Sequence, residues 1–211
     1  MRQILQNLGN GETVLAEVPP PSLRPGHVLI QSEMSLVSIG TERMLIEFGK
    51  ANLLQKALRQ PERVRQAIDK IRTDGVGPTV AAVRSKLDQA IPLGNANLGM
   101  VVEVGEGVSD LCVGDRVVSN GPHAEWVCVP RNLCVKVSSG LEPSDAVFAM
   151  VGAIGLQGVR LLDPTLGESI AVIGLGLIGL LAVQILKANG CRVIGIDKDA
   201  RRCSLAQGFG A

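Results

Sequence analysis

A glycine-rich segment is the part of this chain whose residue types and spacing most directly indicate chemistry. It reads Gly174-Leu175-Gly176-Leu177-Ile178-Gly179, follows the short segment Ser169–Ile173, and precedes Asp197 by eighteen positions. Glycines at this spacing permit a tight turn, a close approach of a diphosphate to the backbone, and close packing of the next helix on the preceding strand. The segment therefore predicts a dinucleotide site in which residues 174–179 bind the diphosphate and Asp197 binds the adenosine ribose.

The elements that must position this segment are two strands and the helix between them. Ser169–Ile173 is short, apolar and half β-branched, which predicts a buried parallel strand. A helix over about 177–189 would direct its unpaired N–H groups at the phosphates, and Gly190 is suited to end it. Arg192–Ile196 then predicts the second strand, and a further short helix follows over about 200–207.

A single membrane-spanning helix is the structural alternative for the same residues. Within 170–186 only Gln184 is plainly polar, so this apolar segment is long enough to be considered as a membrane-spanning helix. Three glycines would destabilise one continuous helix, whereas in a strand–turn–helix unit each of the three glycines has a structural role. We therefore favour the nucleotide site and expect no membrane contact.

The charges after the second strand bear on which dinucleotide binds. The Asp197 carboxylate would repel a 2′-phosphate, which favours NAD over NADP. Arg201 and Arg202 follow directly and would favour a phosphate instead. We expect NAD as the cofactor and keep NADP as the alternative.

The composition excludes several classes of function. The 211 residues are 46% hydrophobic with a net charge of +1, as in a globular protein of one or two domains, and nothing in this balance indicates a nucleic-acid partner. Aromatic residues make up only 2%, too few for a base-stacking surface. Five cysteines without a CxxC pair predict reduced thiols, and the polar, mixed residues 1–11 predict a cytoplasmic location.

The rest of the chain alternates between β and helical patterns. Short strands are predicted over 12–18, 27–32, 100–104, 124–129 and 133–137, and residues 113–118 are predicted as a turn that enters a further strand, with proline and glycine turns between them. Helical periodicity occupies about 43–87, broken by Pro61, Gly75 and Pro78, and a further helix is predicted over 143–162. Many short strands with glycine turns predict a small, partly open β-barrel.

Four further segments carry a resemblance to a known family. They are SIGTER at 38–43, VVEVGEGV at 101–108, VGDRVV at 113–118 and NGPHAE at 120–125. With the glycine-rich segment and Asp197 they resemble the medium-chain dehydrogenase/reductase superfamily, which includes the zinc-type alcohol dehydrogenases, across nearly the whole chain. Within it the chain looks most like the N-terminal half of the bi-domain oxidoreductases, in which a second nucleotide-binding dehydrogenase domain follows.

This resemblance implies an α/β fold with a β-barrel part. Residues 1–142 would form a GroES-like catalytic domain with a helical insertion over about 43–88, and residues 143–211 a linker helix and the first β-α-β-α part of a Rossmann NAD-binding domain. Hydride would pass between the nicotinamide cofactor and an alcohol, polyol or sugar-like small molecule in the cleft between them. Only two of the roughly five or six strands of a complete sheet are present, so we expect a fragment of a longer enzyme, for which a homo-oligomer is compatible with the family.

The zinc ligands of the superfamily have no counterpart at the matching positions. These fall on Ile39, on Asn95 and near Ala149, none of which is a useful zinc ligand, so we expect a zinc-free enzyme. Hydrogen-bond donors alone would then stabilise the developing alkoxide. Thr41 matches the hydroxyl that relays the proton in the zinc enzymes, and Asn95 would donate its amide to the substrate oxygen, so both are the candidate catalytic residues.

Local roles and other functions stay open at this point. Thr41 would alternatively cap a helix that begins near Glu42, and the side chain of Asn95 would alternatively hydrogen-bond to the backbone of a turn. His123 is expected to be a loop residue rather than a general base, and His27 a surface residue. The alternative functions are a zinc-free quinone or enone reductase that uses NADPH and a non-catalytic nucleotide-binding module.

Overall fold

The computed structural model describes residues 1–52, 55–56, 58 and 61–211. The described strands of the first part are β1 (Arg2–Asn7), β2 (Thr13–Glu17), β3 (His27–Ser35), β4 (Ala90–Pro92), β5 (Asn97–Val104), β6 (Arg116–Ser119), β7 (Trp126–Pro130) and β8 (Cys134–Lys136). They form a five-stranded antiparallel sheet in the order β7-β3-β5-β6-β8 and a three-stranded antiparallel sheet in the order β2-β1-β4. An isolated bridge between Gln3 and Ala124 joins the three-stranded sheet to the segment that precedes β7.

Aliphatic side chains on the inward faces of the strands form the core of this part. Alternation along β7 buries Val127 and Val129 and leaves the residues between them half-buried, as expected for a sheet with one covered face. The buried cluster consists of Val28, Ile30, Val101, Leu111, Val117, Val127, Val129 and Cys134. Burial raises the pKa of the Cys134 thiol, and all five cysteines are free, in agreement with the reduced thiols predicted from the sequence.

Three described helices lie between β3 and β4. They are α1 (Ile39–Lys50), α2 (Pro61–Asp74) and α3 (Val76–Asp88), in the stretch where the sequence predicts helices. The end of α1 lies against the turn between β1 and β2, because a Cβ on Gly49 would come within 2.7 Å of the Gly11 Cα. The ammonium of Lys56 donates to the carbonyls of Leu8 and Gly9 in the same turn at 2.7 and 2.8 Å. Both the end of α1 and Lys56 therefore contact this turn.

The second part contains two parallel strands and the helices around them. Its elements are α4 (Pro143–Ala146), α5 (Ala149–Leu162), β9 (Ser169–Ile173), α6 (Leu177–Ala188), β10 (Arg192–Ile196) and α7 (Ala200–Gly208). The single helix predicted over 143–162 is thus two helices. β9 and β10 pair in parallel from Ser169 and Arg192 to Ile173 and Ile196, with the bounds predicted from the sequence. The buried cluster consists of Leu175, Val183, Leu186, Cys191, Val193 and Ala206.

The prediction that β9 is buried is wrong for one of its two faces. Ile170 and Val172 pack against the helices, but Ile173 is 82% exposed and Ile194 on β10 is 56% exposed. The reason is that α5, α6 and α7 all contribute to the cluster on one face of the strand pair. An apolar strand sequence indicates two covered faces, and the described residues cover only one.

Two strands that the sequence analysis did not predict complete the three-stranded sheet. β1 carries glutamine and asparagine side chains that obscure its alternation, yet Gln6 is buried and its amide donates to the Asn7 carbonyl. β4 has only three residues and includes Pro92, which makes its pattern too short to recognise. Among the described residues, no helix has the length and apolar character needed to cross a membrane.

Candidate functional site

The glycine-rich loop runs from the end of β9 to the start of α6. Gly174 has a φ of +91°, which L side chains rarely adopt, and its N–H donates to the Ile196 carbonyl at 2.8 Å. A Cβ on Gly179 would lie 1.9 Å from the carbonyl oxygen of Gly174, so only glycine allows α6 to begin this close to the turn. A Cβ on Gly176 would meet nothing within 4 Å. The loop is therefore tightly built at both ends and open at its centre.

The first turn of α6 faces this opening. Gly176 is the N-cap, and no side chain in the described part of the chain caps the helix there. The unpaired N–H groups at a helix start and the positive end of its dipole favour an anion. The buried side chain of Leu175 fixes the loop to the core below. This arrangement is chemically suited to a phosphate or diphosphate group.

Asp197 ties the end of β10 to the same loop. Its Oδ2 accepts a hydrogen bond from the Leu175 N–H at 2.7 Å, and its Oδ1 accepts one from the Asp199 N–H at 2.9 Å. Arg202 Nη1 lies 3.6 Å from Oδ2. These contacts, the Asp199 amide first, lower the pKa of Asp197, so the carboxylate is ionised at neutral pH although only 6% of the side chain is exposed.

The carboxylate therefore has a structural role that the sequence analysis did not predict. Each carboxylate oxygen has two lone pairs and accepts one backbone hydrogen bond here, so acceptor capacity remains for a ribose hydroxyl. Arg202 adds a cation directly beside it. Loop amides, Asp197 and Arg202 together could hold the adenosine diphosphate part of a nucleotide.

The two predicted catalytic residues lie at the surface of the barrel part. Thr41 is exposed in the first turn of α1, and its Oγ1 accepts a hydrogen bond from the Ser38 hydroxyl at 3.4 Å. Ser38, not Thr41, is the N-cap, because α1 begins at Ile39 and not near Glu42. Asn95 is exposed in the loop between β4 and β5. Both side chains are accessible to a substrate.

His123 lies in the loop before β7, as predicted, but it is buried and hydrogen-bonded through both ring nitrogens. Nδ1 lies 2.8 Å from the Ser35 Oγ, and Nε2 lies 3.2 Å from Glu42 Oε1. Its side chain is 5% exposed and that of Glu42 9%. Glu42 Oε1 also accepts the Ser38 N–H at 2.8 Å. The burial of this loop residue was not predicted from the sequence.

The burial of His123 depends on contacts that no local sequence pattern reveals. Its N–H donates to the Leu93 carbonyl, and its carbonyl accepts the Ile4 N–H, so the backbone is held from both sides. Glu42 is 81 residues away in the sequence. In the sequence, only the glycine at position 94 hints at this close contact. In the structure Gly94 has a φ of +97°, and its Cβ position lies 2.6 Å from the imidazole Cδ2 of His123. The ring thus lies directly under the loop that carries Asn95.

Comparison with known proteins finds similar dehydrogenases. No model of a protein family matches the chain. A D-guloside 3-dehydrogenase of Escherichia coli (strain K12) is 37% identical over 123 residues, 56% of this chain and 35% of that protein. An alcohol dehydrogenase of Geobacillus stearothermophilus is 26% identical over 202 residues, 78% of this chain and 60% of that protein. The crystal structure of galactitol-1-phosphate dehydrogenase from Escherichia coli matches with a TM-score of 0.72 at 21% identity, over 100% of this chain and 60% of that one.

The relatives matched in sequence are alcohol dehydrogenase-like oxidoreductases, in agreement with the resemblance to the medium-chain dehydrogenase/reductase superfamily, and the solved structures share the fold. This confirms the fold predicted from the sequence, a GroES-like part followed by the beginning of a Rossmann sheet. The chain spans 35% to 60% of the length of the curated relatives named above.

The positions that match the superfamily's zinc ligands in sequence lie at the surface of this protein. Ile39 is 72% exposed at the start of α1, Asn95 is exposed, and Ala149 is exposed at the start of α5. Over residues 1–52, 55–56, 58 and 61–211, no three His, Cys, Asp or Glu side chains are grouped so that they could hold a metal ion. The zinc-free mechanism stays a prediction.

Proposed function

We propose that the protein transfers hydride between a nicotinamide dinucleotide, NAD in preference to NADP, and an alcohol, polyol or sugar-like substrate, without zinc. The observation that carries this proposal is the loop at the start of α6. Its centre at Gly176 is open, its helix start is uncapped, and Asp197 is held against it by the Leu175 N–H. These features support a diphosphate on the amides of residues 176–178 and a ribose hydroxyl on Asp197.

The substrate class is supported by the relatives matched in sequence. Their names include D-guloside 3-dehydrogenase, (R,R)-butanediol dehydrogenase and galactitol 1-phosphate 5-dehydrogenase, whose substrates carry several hydroxyl groups. The nicotinamide, when bound, would accept the hydride. Thr41 and Asn95 would bind the reacting oxygen, since a hydroxyl and an amide N–H can stabilise the negative charge that develops on it.

The test measures turnover of the protein as its gene encodes it. We expect NAD to be reduced in the presence of polyols or sugars, and a strong zinc chelator to leave the rate unchanged. The Thr41→Ala, Asn95→Ala double variant should lose turnover while its affinity for NAD stays the same. Full activity of the double variant would refute the assignment of these two residues, and loss of activity on chelation would refute the zinc-free mechanism.

A second candidate is a reductase that uses NADPH to reduce a quinone or enone. The observation in its favour is Arg202, whose guanidinium lies 3.6 Å from Asp197 Oδ2 and would attract a 2′-phosphate. Parallel assays of NAD reduction by polyols and NADPH oxidation by quinones separate the two candidates. Activity with NADPH and a quinone alone would replace the first proposal by the second.

A further inference from the structure

Three side chains from three separate elements form a continuous line of hydrogen bonds next to the predicted catalytic residues. Ser35 at the end of β3 contacts the imidazole of His123, and the imidazole contacts the carboxylate of Glu42 in α1. The Ser35 residue is exposed, whereas His123 and Glu42 are buried. The line therefore leads from the solvent to a buried histidine–carboxylate pair.

The donors and acceptors in this line assign the tautomer of the imidazole. An ionised Glu42 only accepts, and its Oε1 already accepts the Ser38 N–H, so His123 Nε2 must carry the proton that points at it. A neutral imidazole then has a lone pair on Nδ1, which faces the Ser35 hydroxyl at 2.8 Å. Serine can donate into that lone pair. The order of groups is that of a serine–histidine–carboxylate relay with the two ring nitrogens exchanged.

The residues proposed to bind substrate are sequence neighbours of residues that belong to the relay or contact it. Thr41 precedes Glu42 directly, and Asn95 follows Gly94, whose Cβ position is 2.6 Å from the His123 ring. Beyond Ser35, the Leu36 N–H donates to the Ala96 carbonyl at 2.9 Å, which holds the end of β3 beside the Asn95 loop. The hydroxyl of Ser35 is thus placed at the same edge of the barrel as Thr41 and Asn95.

We propose, resting on the function proposed above, that Ser35 and His123 take up the proton of the substrate hydroxyl. As the C–H electron pair leaves with the hydride to the nicotinamide, the substrate O–H proton passes to Ser35 Oγ and the serine proton passes to His123 Nδ1. The products are the carbonyl compound, reduced nicotinamide and an imidazolium paired with the Glu42 carboxylate. In the reverse direction the imidazolium returns the proton. Glu42 is a positioning residue that fixes the tautomer.

The first experiment reads the tautomer directly and does not depend on activity. The chain has two histidines, and His27 Nδ1 lies 2.8 Å from the Pro25 carbonyl, so His27 serves as an internal reference protonated at Nδ1. Nitrogen-15 NMR of the imidazoles, assigned with a His27→Gln variant, should show His123 protonated at Nε2 and bare at Nδ1. A His123 protonated at Nδ1 and bare at Nε2 would overturn the relay.

The second experiment measures turnover of Ser35→Ala, Ser35→Thr and a control in the protein as its gene encodes it. Ser138→Ala is the control, because Ser138 is exposed beyond the end of β8, three strands from β3. We expect Ser35→Ala to lower kcat by about 100-fold or more with the Kd for NAD unchanged, and Ser35→Thr and the control to retain most activity. A kcat of Ser35→Ala within about twofold of wild type would overturn the relay alone. Absence of turnover in the wild-type protein would overturn the proposed function and the relay with it.

Discussion

Two glycines of the nucleotide loop, replaced one at a time by alanine, should separate folding from cofactor binding. Gly176 has φ −75° and ψ −169°, which alanine adopts readily, and a Cβ there meets nothing within 4 Å. We expect Gly176→Ala to leave the protein as stable as wild type, or to stabilise it by about 0.4–1 kcal/mol through the lower entropy of the unfolded chain. Its methyl group would nevertheless occupy the space proposed for the diphosphate.

The magnitude of the binding defect follows from the cost of overpacking. An extra methyl group in a close contact costs about 1–3 kcal/mol, which corresponds to roughly a 5- to 150-fold rise in the Kd for NAD. Gly179→Ala is the matched variant, because its Cβ would lie 1.9 Å from the Gly174 carbonyl oxygen. That backbone overlap must be relieved by movement of the loop. We therefore expect Gly179→Ala to lower both the free energy of unfolding and the affinity for NAD.

Calorimetric titration with NAD and thermal unfolding followed by circular dichroism measure the two quantities. The expected pattern is loss of affinity without loss of stability for Gly176→Ala, and loss of both for Gly179→Ala. Wild-type affinity in Gly176→Ala would refute the placement of the diphosphate at the loop. Wild-type stability in Gly179→Ala would refute the close approach of α6 to the turn.

Three further substitutions test other contacts. Asp197→Asn should lower the free energy of unfolding at pH 7 but not at pH values below the folded-state pKa of Asp197. Because folding lowers this pKa, the carboxylate contributes its full stabilisation above the unfolded-state pKa and loses it as the pH falls through the folded-state pKa. Urea titrations at several pH values measure this dependence. Lys56→Met should lower the free energy of unfolding by about 1–3 kcal/mol, since two hydrogen bonds to backbone carbonyls are lost. Gly94→Ala should lower the melting temperature, because a Cβ would overlap the His123 ring.

Matched controls make each of these results decisive. A deficit of Asp197→Asn that persisted unchanged in acid would contradict the charge argument. Lys50→Met changes an exposed lysine of α1, and equal stability of this variant and Lys56→Met would contradict the role of the buried ammonium. Gly107 has a φ of +85° and no atom near its Cβ position, so Gly107→Ala introduces the backbone strain of a positive φ without a steric overlap. Gly94→Ala must be the less stable of the two.

The nucleotide loop and its strands could be predicted from the sequence because their signals are local. Turn, strand and helix follow within one segment, and the bounds of Ser169–Ile173 and Arg192–Ile196 coincide with β9 and β10. The exposure of Ile173 could not be predicted, since it depends on which faces the rest of the protein covers. The local sequence pattern therefore predicts where a strand lies, whereas the burial of its faces depends on the elements that pack against it.

The buried pair beside the predicted catalytic residues shows the limit of sequence reasoning. His123 and Glu42 are 81 residues apart and meet only because the fold brings the loop before β7 next to the start of α1. Asp197 was recognised by its spacing, but its hydrogen bonds to the chain's own amides were not, because backbone donors leave no trace in residue types. Contacts between distant segments decide both cases.

The central claim is that the amides at the start of α6 bind the diphosphate of a nicotinamide dinucleotide. Titration of the nitrogen-15-labelled protein with NAD, followed by amide NMR, tests it most directly. We expect the largest shift changes at Gly176, Leu177 and Ile178, with smaller ones at Asp197. Binding that moved other amides and left these three unchanged, or no binding at millimolar NAD, would contradict it.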